Sequence, residues 1–500
     1  MKTGLTLAEL VRELPAGSTL EGKGDTWVNG VHHDSRRVVP GDLFVARRGE
    51  KHDGAAFVPT AVGNGAVAII AERGVTFDAK VPVIRVDDVP AALALAAAAV
   101  YGHPGFSLDI VGVTGTNGKT TTTHLLRTAI DGSYGRPQCG IVGTIGHSFG
   151  GVAIPSVHTT PEADELARVL AEMRTRGATH VAMEVSSIAL MLGRVHAVRF
   201  RVAAFTNLTQ DHLDFHGSME AYAAAKMRLF TDMAPGLAVV NVDDPFGVKV
   251  VEATNCNTLR VRVTPGATDG DVVAEKVEIS PSGMRIVAKT PSGTFDFTTR
   301  LVGLHNVENL LVTLGVCSAL ELEVDRAVAA LANDVGAPGR LERCDGPDDD
   351  VMVLVDYAHT PDALARVLDA VRLVAEKKGG GRVLCVFGCG GDRDPTKRGP
   401  MGDAVGRRAD VAIVTSDNPR TEDPAAIAAP VIEAVKAAGK TPEVELDRKK
   451  AIAMAIEQIA KPGDIVLLAG KGHEDYQIVG TEKRPFDDRV EAKAALARRR

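Results

Sequence analysis

Short apolar runs that alternate with longer amphipathic segments constrain the fold of this chain more than any other feature. In the middle of the chain, four runs have the length and apolar content of buried strands: 108–113, 181–185, 202–206 and 237–242. Helical periodicity marks two of the intervening segments, 161–176 and 218–233. Strands that alternate with helices in this way predict a mostly parallel sheet covered by helices on both faces.

The same kind of pattern divides the chain into three blocks. The first block has strand candidates at 42–46, 67–70 and 81–86, and the last has them at 351–355, 383–387, 411–415 and 465–469. Residues 258–300 break the rhythm and predict an antiparallel extension of the central sheet. We therefore predict an α/β protein of three domains: a small N-terminal α/β domain (1–105), a central parallel-sheet domain (106–336) and a C-terminal Rossmann-like domain (337–500).

Composition excludes several classes of function. Aromatic residues make up only 4% of the chain, and its abundant Ala, Val and Gly suit parallel sheets packed on helices. The net charge is −7 and no long basic stripe occurs, so we expect neither nucleic acid nor a membrane as a partner. The first residues lack the apolar core of a signal peptide. The six cysteines lack metal or disulfide spacing, so we expect reduced thiols, Cys385 and Cys389 included, and a cytoplasmic location.

A glycine-rich loop follows the strand candidate 108–113 and precedes a helix. Backbone N–H groups of such a loop bind polyphosphate at the positive end of the helix dipole. Lys119 would reach the terminal phosphates and the Thr120 hydroxyl would bind Mg²⁺. Position 113 is Val where the general phosphate-loop pattern has Gly. The residues predicted to bind the nucleotide here are Gly115, Thr116, Asn117, Gly118, Lys119, Thr120 and Thr121. Such a loop predicts nucleotide binding but not the reaction.

The loop resembles that of the Mur ligase family, and further motifs agree in order along nearly the whole chain. They are Asp34-Ser-Arg, His158-Thr-Thr-Pro, Met183-Glu-Val-Ser-Ser, Thr209-Gln-Asp-His, Ala224-Ala-Lys, His305-Asn-Val-Glu-Asn, Pro338-Gly-Arg, Asp356-Tyr-Ala-His-Thr-Pro, Gly391-Asp-Arg-Asp, Asp417-Asn-Pro-Arg and Gly470-Lys-Gly-His-Glu. The resemblance implies an ATP-dependent amide ligase of peptidoglycan synthesis whose three domains bind a UDP-sugar, ATP and the incoming amino acid. The expected substrates are UDP-N-acetylmuramoyl-L-Ala-D-Glu and meso-diaminopimelate, and we expect a monomer.

The resemblance also implies the catalytic and metal-binding residues. Glu184 and His212 match Mg²⁺ ligands of the family, with Thr120 adding a hydroxyl, and Lys226 matches a lysine that carries a CO₂-derived carbamate. Without the resemblance, Lys226 would be interpreted as an exposed helical lysine. Asn306 resembles an adenine ligand, or alternatively a helix cap, and Arg340 resembles a residue that contacts ATP. Asp356 and His359 would lie near the nucleotide.

A second set of residues is implied for the substrates. For the UDP-linked dipeptide these are His33, Ser35, Glu50, Lys51, His52, His158, Thr159, Thr160, Ser186 and Arg194. The chain departs from the family at Ile188 and Leu192, where relatives have His and Gln. For diaminopimelate they are Arg393, Asp417, Asn418, Pro419, Arg420, Gly470 and Glu474. Its distal carboxylate and ammonium call for an arginine and an acid.

Two alternatives remain at this point. A lysine-adding ligase would share most of these motifs, but a distal carboxylate is what Arg420 suits, and lysine has none. A nucleotide-dependent switch or scaffold would keep the phosphate loop without the acceptor motifs. We further expect Arg420 and Lys119 to face one cleft.

Overall fold

The structure is a computed structural model that describes residues 4–49, 53–264, 267–280 and 283–499. Three main sheets follow one another along the chain, of five, eleven and six strands. Each is built largely from parallel strands and is covered by its own helices. The predicted α/β fold is confirmed. No helix among the described residues is both long enough and apolar enough to cross a bilayer.

The N-terminal sheet has the order β2-β7-β6-β5-β4, in which β4 to β7 are parallel and β2 is antiparallel. Its elements are β1 (Leu5–Thr6), α1 (Leu7–Glu13), β2 (Thr19–Glu21), β3 (Trp27–Val28), β4 (Gly30–His32), β5 (Asp42–Ala46), α2 (Val58–Gly63), β6 (Ala68–Glu72), β7 (Val83–Val86), α3 (Val89–Val100) and α4 (Pro104–Ser107). Asp88 caps α3, whose alanines pack against the sheet because their small side chains allow close approach.

The central sheet has the order β11-β10-β9-β12-β8-β13-β14-β15-β16-β17-β18. Its elements are β8 (Asp109–Thr114), α5 (Lys119–Tyr134), β9 (Cys139–Gly143), β10 (Gly146–Phe149), β11 (Val152–Ile154), α6 (Ala163–Thr175), β12 (His180–Glu184), α7 (Ser187–Met191), β13 (Phe200–Phe205), α8 (Leu213–His216), α9 (Met219–Thr231), β14 (Leu237–Asn241), α10 (Pro245–Ala253), β15 (Asn257–Arg262), β16 (Val272–Ser280), β17 (Gly283–Thr290), β18 (Gly293–Thr299), α11 (Leu304–Ala319) and α12 (Val324–Leu331). Strand β8 lies between β12 and β13, and both pairings are parallel.

This arrangement decides where the site forms. The carboxyl ends of parallel strands meet at one edge, where open α/β sheets bind ligands. The loop after β8, the end of β12 and the segment after β13 are therefore neighbours. Helices α5, α11 and α12 cover one face of the sheet through an aliphatic core, and a second core fills the other face.

The C-terminal sheet has the order β19-β20-β24-β21-β22-β23, parallel except for β19. Its block contains β19 (Glu342–Arg343), β20 (Met352–Asp356), α13 (Pro361–Lys377), β21 (Val383–Phe387), α14 (Arg398–Arg408), β22 (Val411–Val414), α15 (Pro424–Ala437), β23 (Glu443–Val444), α16 (Arg448–Ala453), β24 (Ile465–Ala469), β25 (Tyr476–Val479), β26 (Glu482–Pro485) and α17 (Asp488–Arg499). Fully buried Arg448 pairs with Asp488 at 2.6 Å and donates to the carbonyl of Ala469 at 2.9 Å, which fixes the end of β24.

Two sequence-based interpretations need correction. The antiparallel extension begins only at β16, because β15 pairs in parallel with both β14 and β16. Asn306 is not a helix cap: α11 begins at Leu304 after Gly303, and Asn306 is buried inside its first turn. Apart from these points, the predicted strands occur within two residues of their observed bounds.

Candidate active site

The phosphate loop after β8 has the backbone that close approach to an anion requires. Gly118 has φ of 86°, a left-handed conformation that glycine adopts at little cost. A Cβ at Gly115 would lie 1.9 Å from the hydroxyl oxygen of Thr206, so no side chain fits there. Lys119 Nζ donates to the carbonyls of Gly115 at 2.8 Å and Thr116 at 2.9 Å. Burial lowers the pKa of Lys119. The lysine thus lies over the loop, where phosphate oxygens can replace these carbonyls.

Thr120 connects the loop to the end of β12. Its hydroxyl donates to Glu184 Oε2 at 3.0 Å and accepts from Arg340 Nη2 at 3.1 Å. Glu184 is buried, and Thr144 donates to it through its backbone N–H at 2.8 Å and its hydroxyl at 3.1 Å. The predicted residues Thr120, Glu184 and Arg340 are therefore in direct contact.

His212 lies on the far side of the same cleft with φ of 52°, a conformation rare for a residue with a side chain and often found at functional sites. Its Nε2 is 3.5 Å from Asp211 Oδ2. Partial burial, together with the positive charges of Lys119, Lys226 and Lys397, lowers the pKa of His212 to about 4, although Asp211 opposes the shift. The neutral imidazole is thus the form present near neutral pH, as a metal ligand must be.

Thr120, Glu184 and His212 could supply part of the ligand shell of a Mg²⁺ ion, with one carboxylate among them. Among the described residues no three His, Cys, Asp or Glu side chains converge as a ready-made metal cluster. Mg²⁺ usually binds one or two carboxylates and completes its octahedron with water and substrate phosphates. A single carboxylate facing a phosphate loop fits that mode, with Glu184 as its anchor.

Lys226 lies beneath the loop rather than on the surface, so the interpretation as an exposed helical lysine is wrong. Its side chain is 1% exposed, and Nζ donates to the carbonyl of Gly115 at 2.8 Å, the same oxygen that Lys119 contacts. Nζ also lies 4.6 Å from the centre of the Tyr222 ring. Burial, with Lys119 adding to it, lowers the pKa of Lys226 well below its usual range.

The cleft continues from the loop to α11 and α13, and its walls come from both the central and the C-terminal blocks. Asp356 and His359, predicted to lie near the nucleotide, line this cleft. Burial raises the pKa of Asp356, which accepts from the N–H groups of Leu341 and Ala358. Arg340 stacks on Tyr357 at 4.6 Å and its Nε is buried without a hydrogen-bond partner among the described residues.

Those residues predicted for the UDP-linked dipeptide that the structure describes come from the N-terminal and central blocks. His33 Nδ1 pairs with Asp164 at 2.9 Å, and buried Ser35 accepts from Asn64 through its carbonyl. The Thr160 hydroxyl donates to the Glu184 carbonyl at 2.8 Å and accepts from the N–H of Ser186 at 3.0 Å.

Arg194, predicted to bind a substrate carboxylate, contacts a carboxylate of the chain itself. Its Nη2 is 2.7 Å from Glu162, which Arg47 also contacts at 2.7 Å. The hydroxyl oxygens of Thr159 and Thr144 lie 3.1 Å apart, whereas His158 is exposed. The predictions Glu50, Lys51 and His52 lie outside the described residues.

The predicted amino-acid pocket forms at the carboxyl edge of the C-terminal sheet. Arg420 has φ of 53°, and its Nη1 donates to the carbonyl of Gly391 at 2.7 Å. A Cβ at Gly390 would lie 3.0 Å from that Nη1 and 3.7 Å from Cγ of Arg393, so both arginines border the same point. Asn418 Nδ2 donates to Glu474 Oε2 at 3.0 Å. A Cβ at Gly470 would lie 4.0 Å from the Asp417 carboxylate, and Pro419 is buried.

Arg420 does not line the cleft that holds Lys119, contrary to the expectation of one shared cleft. The C-terminal block instead contacts the central block through Lys397, whose Nζ is 2.8 Å from Asp211 Oδ1. Sequence reasoning missed Lys397, Asp211, Glu162 and the fully buried Lys471, which contacts Glu474 at 3.0 Å. Asp211 and Lys471 lie inside motifs that match the family, and this position in the motifs could have marked them as candidate site residues.

Comparison with known proteins agrees with this geometry. Three family models match consecutive parts of the chain: the Mur ligase family, catalytic domain at residues 28–101, the Mur ligase middle domain at 113–317, and the Mur ligase, glutamate ligase domain at 339–472. Phosphate loop, acid and buried lysine all fall within the second match. The chain belongs to the Mur ligase family.

Individual relatives show which members of the family this chain is similar to. UDP-N-acetylmuramoyl-L-alanyl-D-glutamate–2,6-diaminopimelate ligase of Gloeobacter violaceus is 45% identical, over 98% of both chains. The ligase of the same name from Geobacillus thermodenitrificans is 44% identical over 99% of this chain and all of its own. A solved structure of a ligase with that name has a TM-score of 0.69 and 33% identity over 99% of both chains. The MurF ligase of Thermotoga maritima, solved with ADP, shares the fold at a TM-score of 0.64 and 22% identity, over 95% of this chain and 99% of its own.

Proposed function

We propose that the chain is an ATP-dependent ligase that joins the side-chain carboxylate of D-glutamate in UDP-N-acetylmuramoyl-L-Ala-D-Glu to an amine of meso-diaminopimelate. The observation that carries this proposal is the contact of Thr120 with Glu184 at the mouth of a phosphate loop. Relatives that are 42–45% identical over nearly their full length are named UDP-N-acetylmuramoyl-L-alanyl-D-glutamate–2,6-diaminopimelate ligase. We also propose that it acts as a cytoplasmic monomer with domain boundaries near 105 and 336.

The chemistry requires activation, because a carboxylate does not react with an amine in water. The carboxylate oxygen attacks the γ-phosphorus of ATP, ADP leaves, and an acyl phosphate forms. The amine then attacks the acyl carbon and loses a proton as phosphate departs with the oxygen that it received. The loop N–H groups and Lys119 hold and neutralise the phosphates, so positioning and electrostatics supply most of the catalysis.

Mg²⁺, when bound, would neutralise phosphate charge, and Thr120, Glu184 and His212 are the residues that would hold it. The surroundings of Lys226 favour a further anionic group, a carbamate formed on this lysine. Two ammonium groups, those of Lys119 and Lys226, contact one carbonyl oxygen, which is unfavourable when both are charged. Addition of CO₂ to the neutral amine of Lys226, with loss of a proton, turns that repulsion into attraction. We propose that this carbamate provides further metal-binding oxygens.

Selection of diaminopimelate rests on the edge of the C-terminal sheet. Arg420 and Arg393 supply guanidinium groups for the distal carboxylate, and Glu474 supplies a carboxylate for the distal ammonium. Lys471 already contacts Glu474 at 3.0 Å, and its positive charge offsets part of the negative charge of that carboxylate. The positive groups therefore dominate recognition, and a substrate without the distal carboxylate should bind poorly.

A panel of amino acids tests this assignment. With ATP and the UDP-linked dipeptide, wild type should release ADP in response to meso-diaminopimelate but hardly to L-lysine. Arg420→Ala should raise the KM for diaminopimelate by about 10-fold or more, the effect of losing a charge-assisted hydrogen bond. Arg484→Ala, which removes an exposed arginine of the same block, is the matched control. Equal efficiency with lysine would identify a lysine-adding ligase.

A further inference from the structure

Glu308 is a carboxylate of the nucleotide cleft that lies inside the His305-Asn-Val-Glu-Asn motif but is not among the residues predicted to bind ATP. It lies on α11 two residues after Asn306, and both line the cleft with Lys119. Its side chain is only 20% exposed. The cation that pairs with it is Arg366, whose Nη1 is 3.6 Å from Oε1, too far for a hydrogen bond. Within the described part of the chain its carboxyl oxygens accept no hydrogen bond, so their lone pairs face the cleft.

The surroundings of Glu308 suit a flat heterocycle. Ala358, Ala363 and Val367 provide aliphatic walls of the same cleft. Ligand sites typically combine such walls with a few polar groups that fix orientation. A nucleotide whose phosphates lie on the loop would place its base among these side chains.

Asn306 is held in place by its neighbours and keeps one N–H and one acceptor lone pair for that base. Its Nδ2 donates to the carbonyl of Val302 at 2.9 Å, and its Oδ1 accepts from Asn309 Nδ2 at 3.1 Å. Asn309 is in turn bound to the Thr122 hydroxyl at 3.2 Å, which fixes both amides in place. Glu308, which lines the same cleft, offers further acceptor positions beside this amide.

We propose that Glu308 reads the nucleobase of ATP by accepting a hydrogen bond from the 6-amino group of adenine. This inference rests on the proposed function. Burial raises the pKa of Glu308 to about 7, with Asp243, Asp244 and Asp362 adding to the shift and Arg366 opposing it. The neutral carboxyl can also donate to the ring nitrogen beside the amino group, which gives two parallel hydrogen bonds to adenine.

The test compares ATP with purine riboside triphosphate, which lacks only the 6-amino group, in the complete ligase reaction. Wild type should prefer ATP by about 10-fold in kcat/KM, the worth of about 1.4 kcal/mol. In Glu308→Ala, activity with ATP should fall to the level of the analogue, and activity with the analogue should stay as in wild type. Glu308→Gln should keep the preference, since its amide oxygen accepts. Glu275→Ala, at an exposed position on β16, is the control.

Three outcomes would overturn the inference. Glu308→Ala could lower activity with both nucleotides equally, which would show a structural role. Glu308→Ala could keep the preference for ATP over the analogue, or wild type could show no such preference. Calorimetric binding of ADP and purine riboside diphosphate to the same variants keeps the question separate from the reaction. If wild type ligates nothing yet binds ADP about 10-fold more tightly in a Glu308-dependent way, the proposed function fails and the inference stands.

Discussion

At the scale of single residues, the buried pair of lysines is the most informative feature. An isolated ammonium in a protein interior is costly, and a second one beside it makes the neutral amine the favoured form. The pKa of Lys226 is lowered by burial first and by Lys119 second. The neutral amine is the form that the proposed reaction with CO₂ requires.

Substitution of Lys226 tests that role. Lys226→Ala should reduce turnover by about 100-fold or more, because an anionic group next to the phosphates is lost. Bicarbonate should not restore activity, whereas a short carboxylate such as formate should restore part of it by occupying the space left. The control is Lys249→Ala, at an exposed lysine of α10. Near-normal turnover of the folded Lys226→Ala protein would remove the carbamate from the mechanism.

At the scale of elements, helix α5 connects the phosphate loop to the core. One face packs with α11 and α12 on the sheet, so the loop is held by some of the most buried parts of the chain. His124 lies on this helix and is buried. Burial lowers its pKa to about 3, and the positive charges of Arg127 and Arg340 add to the effect. Protonation of His124 therefore costs free energy in the folded state and destabilises the helix.

Acid should weaken α5 in a predictable direction. The unfolded chain binds a proton at His124 below pH 6.5 and the folded chain does not until about pH 3, so stability is complete above 6.5 and falls as pH drops through this window. At pH 5 the loss from this histidine is about 2 kcal/mol. Hydrogen exchange of α5 amides, corrected for the intrinsic rate, should show that His124→Gln loses about 2 kcal/mol less protection than wild type between pH 7.5 and 5. His196→Gln, at an exposed histidine, should behave as wild type; equal losses in His124→Gln would contradict the assignment.

The elements and the local motifs could be predicted from sequence, but the pairing of distant side chains could not. Glu184 was placed correctly at a strand end because apolar runs mark strands and parallel strands share a carboxyl edge. The engagement of Arg194 by Glu162, and the burial of Lys226, depend on how helices and sheets pack, which no local pattern encodes. The contact between Lys397 and Asp211 spans 186 residues and joins two blocks.

At the scale of the whole molecule, three hydrogen bonds among the described residues join the C-terminal block to the central one across the nucleotide cleft, besides the longer ion pair of Arg366 with Glu308. They are Lys397 to Asp211 at 2.8 Å, Arg340 to Thr120 at 3.1 Å and Asp362 to Asn117 at 3.1 Å. Each involves a residue of the cleft or its phosphate loop. The position of the C-terminal block, and with it Arg420, should therefore depend on nucleotide, and closure would bring the two predicted binding regions together.

Charge reversal at Lys397 tests this coupling. Lys397→Glu places two carboxylates together and should lower kcat/KM by about 10-fold or more. Small-angle scattering should show that substrates make wild type more compact but affect the variant less. Lys436→Glu, at an exposed lysine that pairs with Glu433 of its own helix, should retain wild-type behaviour. Equal compaction and equal activity in Lys397→Glu would show that this contact does not couple the blocks.

The path of one oxygen atom tests the central claim, that the chain activates a carboxylate by phosphorylation. The UDP-linked dipeptide is prepared with ¹⁸O in the side-chain carboxylate of D-glutamate, and the phosphate released during ligation to diaminopimelate is analysed by mass spectrometry. Each phosphate should carry one ¹⁸O from the carboxylate, and the amide product should retain the other. Unlabelled phosphate, released together with an amide product, would contradict an acyl phosphate and with it this account of the site.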